Sequence, residues 1–452
     1  MNKNIKIATI LPYKENYTVS KAQAAAIWVA DFYKYSRFKE NNFIFGHTKD
    51  KDYLSKKYIN INISNLKSKF SSSTKEYCKN IIKKSKKMNF DIIEIHNRPK
   101  VFEYLSPKLK SKYILYFHND PLSMNGSISK NERISLLKNL DKIIFVSKWV
   151  RNRFFDNIDK KLIHKTEIVY PSIDKIKKLP NKEKKIVFVG KLNESKGYDI
   201  YGKAIIKILD KFIDWKAYSI GDEDRKRPII DHKNHFELGF FKHKEVLNFL
   251  SKSEIAVVPS RWEEPFGRTS LESSSRGCAT IISNRGGLPE TTDNSIILKR
   301  LNYQELYKQL KNLITNSDKR KSIQINSYKN VKHITSTNSQ FIDEIRESLF
   351  NNFNLNILKK KLRIINIYNT GQKISHRLYN ISLGKKFTNG FIRNGHDVIE
   401  ISDRDFVRGN YSLFKNFNRL KFQDYLLKTF KNYNPNFIFF GHTNNINIDT
   451  LK

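Results

Sequence analysis

The stretch of residues 257–290 limits most strongly what this chain can fold into. It reads VVPSRWEEPFGRTSLESSSRGCATIISNRGGLPE, a pattern that predicts a strand, a loop, a helix, a second strand and a second loop. The first strand breaks at Pro259, and the helix over residues 268–276 contains no breaker before Gly277. Strand, helix and strand in succession are typical of a parallel α/β sheet, which binds its ligands at the carboxyl ends of its strands.

Two glutamates in this stretch indicate the chemistry of a ligand. Glu264 precedes the predicted helix, Glu272 lies inside it, and Gly267 ends the loop that leads into it. The amino terminus of a helix offers unpaired N–H groups and a positive dipole, which suit a phosphate. Carboxylates repel a phosphate but accept hydrogen bonds from hydroxyls, each worth roughly 1.5–3 kcal/mol. A phosphate together with hydroxyls describes a nucleotide sugar.

An ordered set of motifs in this stretch resembles the family-4 retaining glycosyltransferases, the group-1 type with the GT-B fold. The set consists of Pro259-Ser260, Glu264-Pro-Phe-Gly267, Glu272, Gly277 and Gly286-Gly287-Leu-Pro-Glu290. The resemblance implies an α/β fold of two Rossmann-like, doubly wound parallel-sheet domains that face each other across a cleft. A generic strand-helix-strand unit with surface glutamates is the alternative.

The resemblance also implies roles for residues of the donor site. Glu272 would bind the ribose hydroxyls, and Glu264 would hold the transferred sugar. The backbone of Phe266, Gly267 and Arg268 would contact the same sugar.

The loop GKLNESKG follows a predicted strand over residues 185–189. In the resembled family two basic residues of this loop grip the donor diphosphate. Lys191 stands where that family usually has arginine, and Lys196 precedes the second glycine as expected. Gly190, Lys191 and Lys196 are therefore predicted donor-binding residues, with the two lysines stabilising the leaving group. Without the surrounding pattern they would be surface lysines of a lysine-rich chain.

Two histidines follow successive predicted strands in the first half of the chain. His96, Asn97 and Arg98 come after the strand over residues 91–95, and His118 comes after the strand over residues 113–117. Loops at successive strand ends form the rim of an active site in this class of sheet. The resemblance adds that His118 touches the transferred sugar, so His118, Glu264, Lys191 and Lys196 are the predicted catalytic residues. His96, Asn97 and Arg98 are weaker candidates for acceptor contacts.

The chain divides into four predicted segments. Residues 1–171 form an N-terminal Rossmann-like acceptor domain, residues 172–335 a Rossmann-like donor domain, and residues 336–358 a crossover helix and linker. Residues 361–452 form a partial α/β unit that resembles the start of a second GT-B glycosyltransferase. This unit is interpreted as part of a once longer reading frame or of a fragment, or as a small docking module.

Composition limits the partners and the compartment. Lys and Arg number 84 against 44 Asp and Glu, which gives a net charge of +40. This excess favours polyanions, including an anionic membrane surface, although compositional bias is the larger cause. The basic residues are dispersed and form no nucleic-acid-binding motif, which argues against a nucleic-acid partner. Two cysteines and the lack of a membrane-length apolar run predict a cytoplasmic protein, with possible contact at the inner face of the membrane.

The predicted activity is the transfer of a hexose, with retention, from a nucleotide-diphosphate donor to a hydroxyl of a glycan or lipid-linked acceptor. Polysaccharide, lipopolysaccharide and glycolipid synthesis all fit. No cofactor and no metal is expected, and the triplets Asp222-Glu-Asp224 and Asp403-Arg-Asp405 are interpreted as chance matches to a metal motif. A non-catalytic module that binds a nucleotide sugar or a glycan is the alternative.

Overall fold

The computed structural model describes residues 5–63, 72–86, 88–223, 227–355, 361–370, 382–409, 415–447 and 450. The chain divides into two compact units, Met1–Phe350 and Asn351–Lys452. Parallel sheets flanked by helices build both units, so the predicted α/β class is confirmed. Within the described ranges, no helix combines the length and the apolar character that crossing a membrane requires.

A seven-stranded parallel sheet forms the core of the first half of the first unit. Its strands are β1 (Ile7–Ile10), β2 (Asn42–Gly46), β3 (Tyr58–Asn60), β4 (Ile92–His96), β5 (Lys112–Phe117), β6 (Lys142–Phe145) and β7 (Thr166–Ile168). The order is β3-β2-β1-β4-β5-β6-β7, so the strand order reverses at β1. The neighbouring helices are α1 (Ala24–Tyr35), α2 (Ser73–Ser85), α3 (Pro99–Leu105), α4 (Lys130–Asn139) and α5 (Lys148–Phe154). Isoleucine-rich strands such as β4 are buried throughout, as strands covered on both faces require.

A six-stranded parallel sheet forms the second half of this unit. Its strands are β8 (Glu183–Val189), β9 (Lys216–Ile220), β10 (His235–Glu237), β11 (Ser253–Val258), β12 (Ala279–Ile282) and β13 (Ile296–Ile297), in the order β10-β9-β8-β11-β12-β13. The helices are α6 (Tyr198–Lys211), α7 (His243–Lys252), α8 (Arg268–Ser275), α9 (Tyr303–Thr315) and α10 (Ser317–Lys329). The predicted order of strand, loop, helix and strand over residues 257–290 is confirmed by β11, α8 and β12.

Helix α11 (Thr335–Leu355) returns from the second half to the first sheet. Arg346 of this helix bonds both oxygens of Glu94 in β4, with Nε 2.9 Å from Oε1 and Nη2 2.7 Å from Oε2. The same guanidinium donates to Asp343 Oδ1 at 2.8 Å, and all three side chains are buried. Helix α11 is thus joined to the first sheet by the buried ion pair of Arg346 with Glu94.

The second unit contains a three-stranded parallel sheet. Its strands are β14 (Arg363–Ile367), β15 (Asp397–Ile401) and β16 (Phe437–Phe440), in the order β15-β14-β16, and its helices are α12 (Leu383–Arg393), α13 (Asp403–Gly409) and α14 (Lys415–Tyr433). The sequence pattern of this unit also predicts a helix over residues 375–394, of which residues 375–381 lie outside the described residues. Asp224 of the triplet at residues 222–224 lies outside them as well. The four domain boundaries stay predictions.

Candidate active site

Glycines allow the strand-end loops of the second sheet to approach one another closely. Gly221 has φ +141°, and a Cβ atom there would lie 1.9 Å from the carbonyl oxygen of Gly190. Gly197 has φ +72°, and a Cβ atom there would lie 1.9 Å from the carbonyl oxygen of Pro259. The loops after β8, β9 and β11 are therefore packed backbone to backbone, which brings the predicted lysine loop against the predicted glutamate loop.

Lys196 and Glu264 meet at this junction. The Lys196 ammonium lies 2.6 Å from Oε1 of Glu264, and the Ser260 hydroxyl donates to the same oxygen at 3.0 Å. Both side chains of the ion pair are mostly buried, with 31% and 13% of their surface exposed. Lys191, from the start of the same loop, is exposed. The structure thus places Lys196 directly on Glu264 and leaves Lys191 facing solvent.

The backbone of the glutamate loop is supported by the glycine pair after β12. The N–H of Gly287 donates to the Glu264 carbonyl at 2.6 Å, and a Cβ atom on Gly286 would lie 2.1 Å from that carbonyl oxygen. Gly267, with φ +99°, begins α8, and Phe266 before it is buried against the ring of Tyr170. The path of the chain between the two predicted glutamates is thereby fixed.

Glu272 lies at the centre of a buried charged cluster. Its Oε1 accepts hydrogen bonds from Arg268 Nε at 2.7 Å and from His243 Nε2 at 2.8 Å, and Arg268 Nη2 reaches Asp31 Oδ2 at 2.6 Å. Burial raises the pKa of Glu272, but the hydrogen bond from His243 and the charge of Arg268 outweigh it, so the pKa lies below its ordinary value. Within the described chain, the hydrogen bonds found for this carboxylate all reach Oε1.

Several contacts fasten the second sheet region to the first. Arg268 bonds Asp31 of α1, as described above. The carboxylate of Glu290 accepts from the backbone N–H groups of Lys148 at 2.8 Å and Trp149 at 2.9 Å, which begin α5. The final residue of the GGLPE segment therefore caps a helix of the opposite domain.

His118 is paired with His96 at the strand ends of the first sheet. His118 Nε2 lies 2.8 Å from His96 Nδ1, and the His118 backbone N–H donates to Asn97 Oδ1 at 2.7 Å. The His96 ring stacks on Tyr116 at 4.4 Å between centroids, and Trp28 of α1 lies edge-on to His118 at 5.3 Å. Burial lowers the pKa of His96 to about 3 and the pKa of His118 well below its ordinary value, so both rings are neutral at physiological pH.

Helix α1 connects the histidine pair to the charged cluster. Trp28 contacts the His118 ring, and Asp31, three residues later, bonds Arg268. Residues three apart on a helix lie on one face. The His118 ring and the Arg268 guanidinium therefore contact the same face of one helix.

A cavity of about 670 Å³ opens beside the strand ends of the first sheet. Its lining includes Tyr13, Lys14, Asn97, Arg98 and Tyr104. Asn97 and Arg98, two of the three predicted acceptor residues, therefore line a cavity. The third, His96, has no exposed surface, so its side chain is placed to hold His118 and not to touch an acceptor.

Three residues of this arrangement were not predicted. Asp31, His243 and the carboxylate of Glu290 act across elements that are distant in sequence. No local pattern marks Asp31 or His243, and the motif that contains Glu290 did not indicate its contact with α5. Arg268 was predicted to act through its backbone, whereas the structure also gives its side chain a bridging position. In the described part of the chain, no three His, Cys, Asp or Glu side chains are grouped so that they could hold a metal ion.

Residues 170–330 match the family model described as glycosyl transferases group 1. The matched region covers the second sheet with its lysine loop, both glutamates and the glycine pair. The predicted relation to group 1 glycosyltransferases is confirmed, while the assignment to family 4 stays a prediction.

Curated relatives extend this similarity beyond the matched domain. Spore coat protein SA of Bacillus subtilis is 25% identical over 279 residues, which is 53% of this chain and 72% of the relative. An uncharacterized glycosyltransferase of Methanocaldococcus jannaschii is 30% identical over 231 residues, which is 48% of this chain and 63% of the relative. The chain thus spans between three-fifths and three-quarters of these two relatives.

Solved structures show the same fold. HepE of Anabaena in complex with UDP-glucose has a TM-score of 0.61 at 14% identity, over 76% of this chain and 99% of that one. Sucrose-phosphate synthase of Thermosynechococcus elongatus has a TM-score of 0.62 at 14% identity, over 77% and 100%. At this identity the likeness concerns the fold, and it confirms the predicted GT-B architecture.

Proposed function

We propose that this chain, whose residues 170–330 form a group 1 glycosyltransferase domain, transfers a hexose from a nucleotide diphosphate to an acceptor hydroxyl. The observation that carries the proposal is the ion pair of Lys196 with Glu264 at the strand ends, together with the Glu272 carboxylate that is hydrogen-bonded through Oε1. HepE, which shares the fold, is described in complex with UDP-glucose. A UDP-sugar is therefore the first donor to test.

Departure of the nucleoside diphosphate is the step that this site would assist. The leaving phosphate gains negative charge, and fixed cations stabilise it most where water is scarce. Lys196 is mostly buried, and its ammonium pairs with Glu264 in the absence of a ligand. A bound diphosphate would form an ion pair with the Lys196 ammonium in place of Glu264. The released carboxylate of Glu264 would then accept hydrogen bonds from hydroxyls of the transferred sugar. Lys191, exposed at the start of the loop, would add a second charge.

Glu272 would bind the ribose of the donor through Oε2. Arg268 and His243 hold its other oxygen, so the carboxylate is ionised and oriented before the donor arrives. A carboxylate fixed in this way loses little rotamer entropy on binding.

We propose retention by attack on the same face of the sugar, without a metal ion or a cofactor. A double displacement requires a carboxylate close to the anomeric carbon on the far face of the ring. The site residues assigned here include no side chain for that position, since Glu264 and Glu272 have other roles. The leaving phosphate would accept the proton of the attacking hydroxyl. The anomeric configuration of the product, determined by NMR, tests retention.

The acceptor would bind in the cavity lined by Asn97 and Arg98. A glycan or a lipid-linked sugar fits the predicted pathways of polysaccharide, lipopolysaccharide or glycolipid synthesis. Contact with an anionic membrane is part of this proposal, since the chain carries a net charge of +40. Location in the cytoplasm is proposed because both cysteines, Cys78 and Cys278, are free.

The decisive experiment measures binding and turnover of UDP-, GDP- and ADP-sugars by the purified chain. Lys196→Ala and Glu272→Ala should each weaken binding of the active donor by roughly tenfold or more, since each removes a charged partner of the ligand. Lys184→Ala is the control, because Lys184 lies on β8, the strand that precedes the lysine loop, and pairs with Asp214 at an exposed site. Donor binding without turnover would favour a non-catalytic binding module, and absence of donor binding by the folded chain would refute the proposal.

A further inference from the structure

The pair His96 and His118 has a geometry that restricts where its protons lie. The ring centroids are 5.1 Å apart, the planes differ by 23°, and His96 Nδ1 is 2.8 Å from His118 Nε2. The two rings are thus nearly coplanar and joined by one hydrogen bond. Because a single proton occupies that bond, the tautomer of one ring determines the tautomer of the other.

The outer nitrogen of His96 lies in a pocket without an acceptor. His96 Nε2 is buried, and no hydrogen-bond partner for it is found among the described residues. The indole N–H of Trp28, whose ring is 5.5 Å from that of His96 between centroids, is likewise buried and without an acceptor in the described chain.

The two possible arrangements differ in cost. If His96 carries its proton on Nε2, that N–H is a buried donor without an acceptor among the described residues, in addition to the indole N–H of Trp28. If His96 carries its proton on Nδ1, that proton is bonded to His118 and only a lone pair is left unpaired on Nε2. Orphaned buried donors are the rarer and costlier defect, so the second arrangement is favoured.

We propose that His96 is a positioning residue that donates its Nδ1 proton to His118 and thereby makes His118 present an Nδ1–H donor to the transferred sugar. The part of this statement that concerns the sugar rests on the proposed function, while the tautomer itself does not. Both rings are held for this task, His96 by stacking on Tyr116 and His118 by the bond from its backbone to Asn97. Low pKa values keep both rings neutral, which the arrangement requires.

Nitrogen NMR of the full-length chain labelled with ¹⁵N-histidine tests the tautomer without any substrate. The His118 signals are assigned by their loss in His118→Asn. We expect the proton of His118 on Nδ1 and that of His96 on Nδ1 at neutral pH. A His118 proton on Nε2, or a doubly protonated ring, would overturn the proposal.

Substitutions at His96 test its effect on the reaction. The amide of His96→Asn places an N–H where Nδ1 was, whereas His96→Leu offers no donor to His118. We expect His96→Leu to lower kcat/KM for the nucleotide sugar roughly tenfold, the value of one hydrogen bond, and His96→Asn to retain most of it. Binding of the free nucleoside diphosphate, which carries no sugar, should be unchanged in both variants.

The outcomes separate this proposal from the proposed function. If the wild-type chain binds and turns over no nucleotide sugar, the proposed function fails, and NMR still decides the tautomer. If the enzyme is active but His96→Asn loses as much activity as His96→Leu, the positioning role is refuted. A thermal unfolding curve for each variant identifies any loss that comes from misfolding, and in that case the tautomer measurement on the wild type stands as the test.

Discussion

At the scale of single residues, the surroundings of Glu272 depend partly on a sequence motif and partly on tertiary contacts. The motif places the carboxylate on α8, and its neighbour Arg268 four residues earlier can be anticipated from helical spacing. His243 and Asp31, which complete the cluster, come from α7 and α1. Their positions follow only from the packing of whole elements, so the sequence alone could not reveal them.

The glycines of the strand-end loops were predictable as turns, but not their contacts. We predict that Gly197→Ala lowers the free energy of unfolding by roughly 2–4 kcal/mol, because the new Cβ would add left-handed backbone strain to a clash with the Pro259 carbonyl. Urea unfolding measures it. Gly239→Ala is the control, since Gly239 has φ +69° but nothing within 4 Å of a new Cβ. This control should lose only about 1–2 kcal/mol, and equal losses would contradict the steric account.

The buried histidine makes stability depend on pH. In the unfolded chain His96 takes up a proton near its ordinary pKa of about 6.5, whereas in the folded chain its pKa is about 3. The unfolded state therefore binds more protons between these values, and the free energy of unfolding falls as the pH is lowered from about 6.5, by up to about 1.4 kcal/mol per pH unit.

We predict that His96→Asn makes this fall shallower by about the same amount per pH unit. Urea unfolding of both proteins is measured at several pH values between about 4 and about 7, within or close to the window between the folded and unfolded pKa values of His96. Parallel curves for wild type and variant would show that His96 is not the group that titrates.

At the scale of elements, the strongest sequence patterns gave the correct structure and the short ones were missed. The apolar strands β4 and β5 were predicted because their runs are bounded by polar loops. Strands β2 and β3 have five and three residues, too few to show a period. Strand β2 pairs with β1, and β3 at the sheet edge pairs with β2, so tertiary contacts place both strands.

Helix α11 depends on a buried ion pair that its sequence does not announce. We predict that Arg346→Leu lowers the free energy of unfolding by about 3–5 kcal/mol, because it leaves Glu94 buried without its cation. Lys184→Leu is the control, as Lys184 pairs with Asp214 at an exposed site and its loss should cost at most about 1 kcal/mol. Denaturant unfolding compares the two, and similar losses would show that burial of the pair is not what matters.

At the scale of the whole molecule, helix α11 and the residues proposed to bind the donor lie within residues 1–355. Residues Met1–Phe350 form the first compact unit. The four predicted segments followed from linker composition and from the restart of the α/β pattern. These features indicate that one segment ends and another begins, but they do not fix the residue at which the boundary lies.

We predict that a chain shortened to residues 1–358 binds its nucleotide sugar with the same affinity as the full chain. Every residue assigned to the donor lies in the first unit, and α11 is kept whole. Calorimetric titration of both chains with one donor decides it, with circular dichroism as the check of folding. A folded short chain that has lost affinity would assign the second unit a part in donor binding.

The contacts between the two sheet regions of the first unit have a consequence for protein engineering. A chimera could be made by grafting the second half of a related chain onto the first half of this one. Such a graft would separate Arg268 from its partner Asp31, and Glu290 from the backbone N–H groups at the start of α5. A second half taken from a relative will preserve both contacts only if it has an arginine and a glutamate at these two positions. The two positions can therefore be used to choose the partners of a chimera.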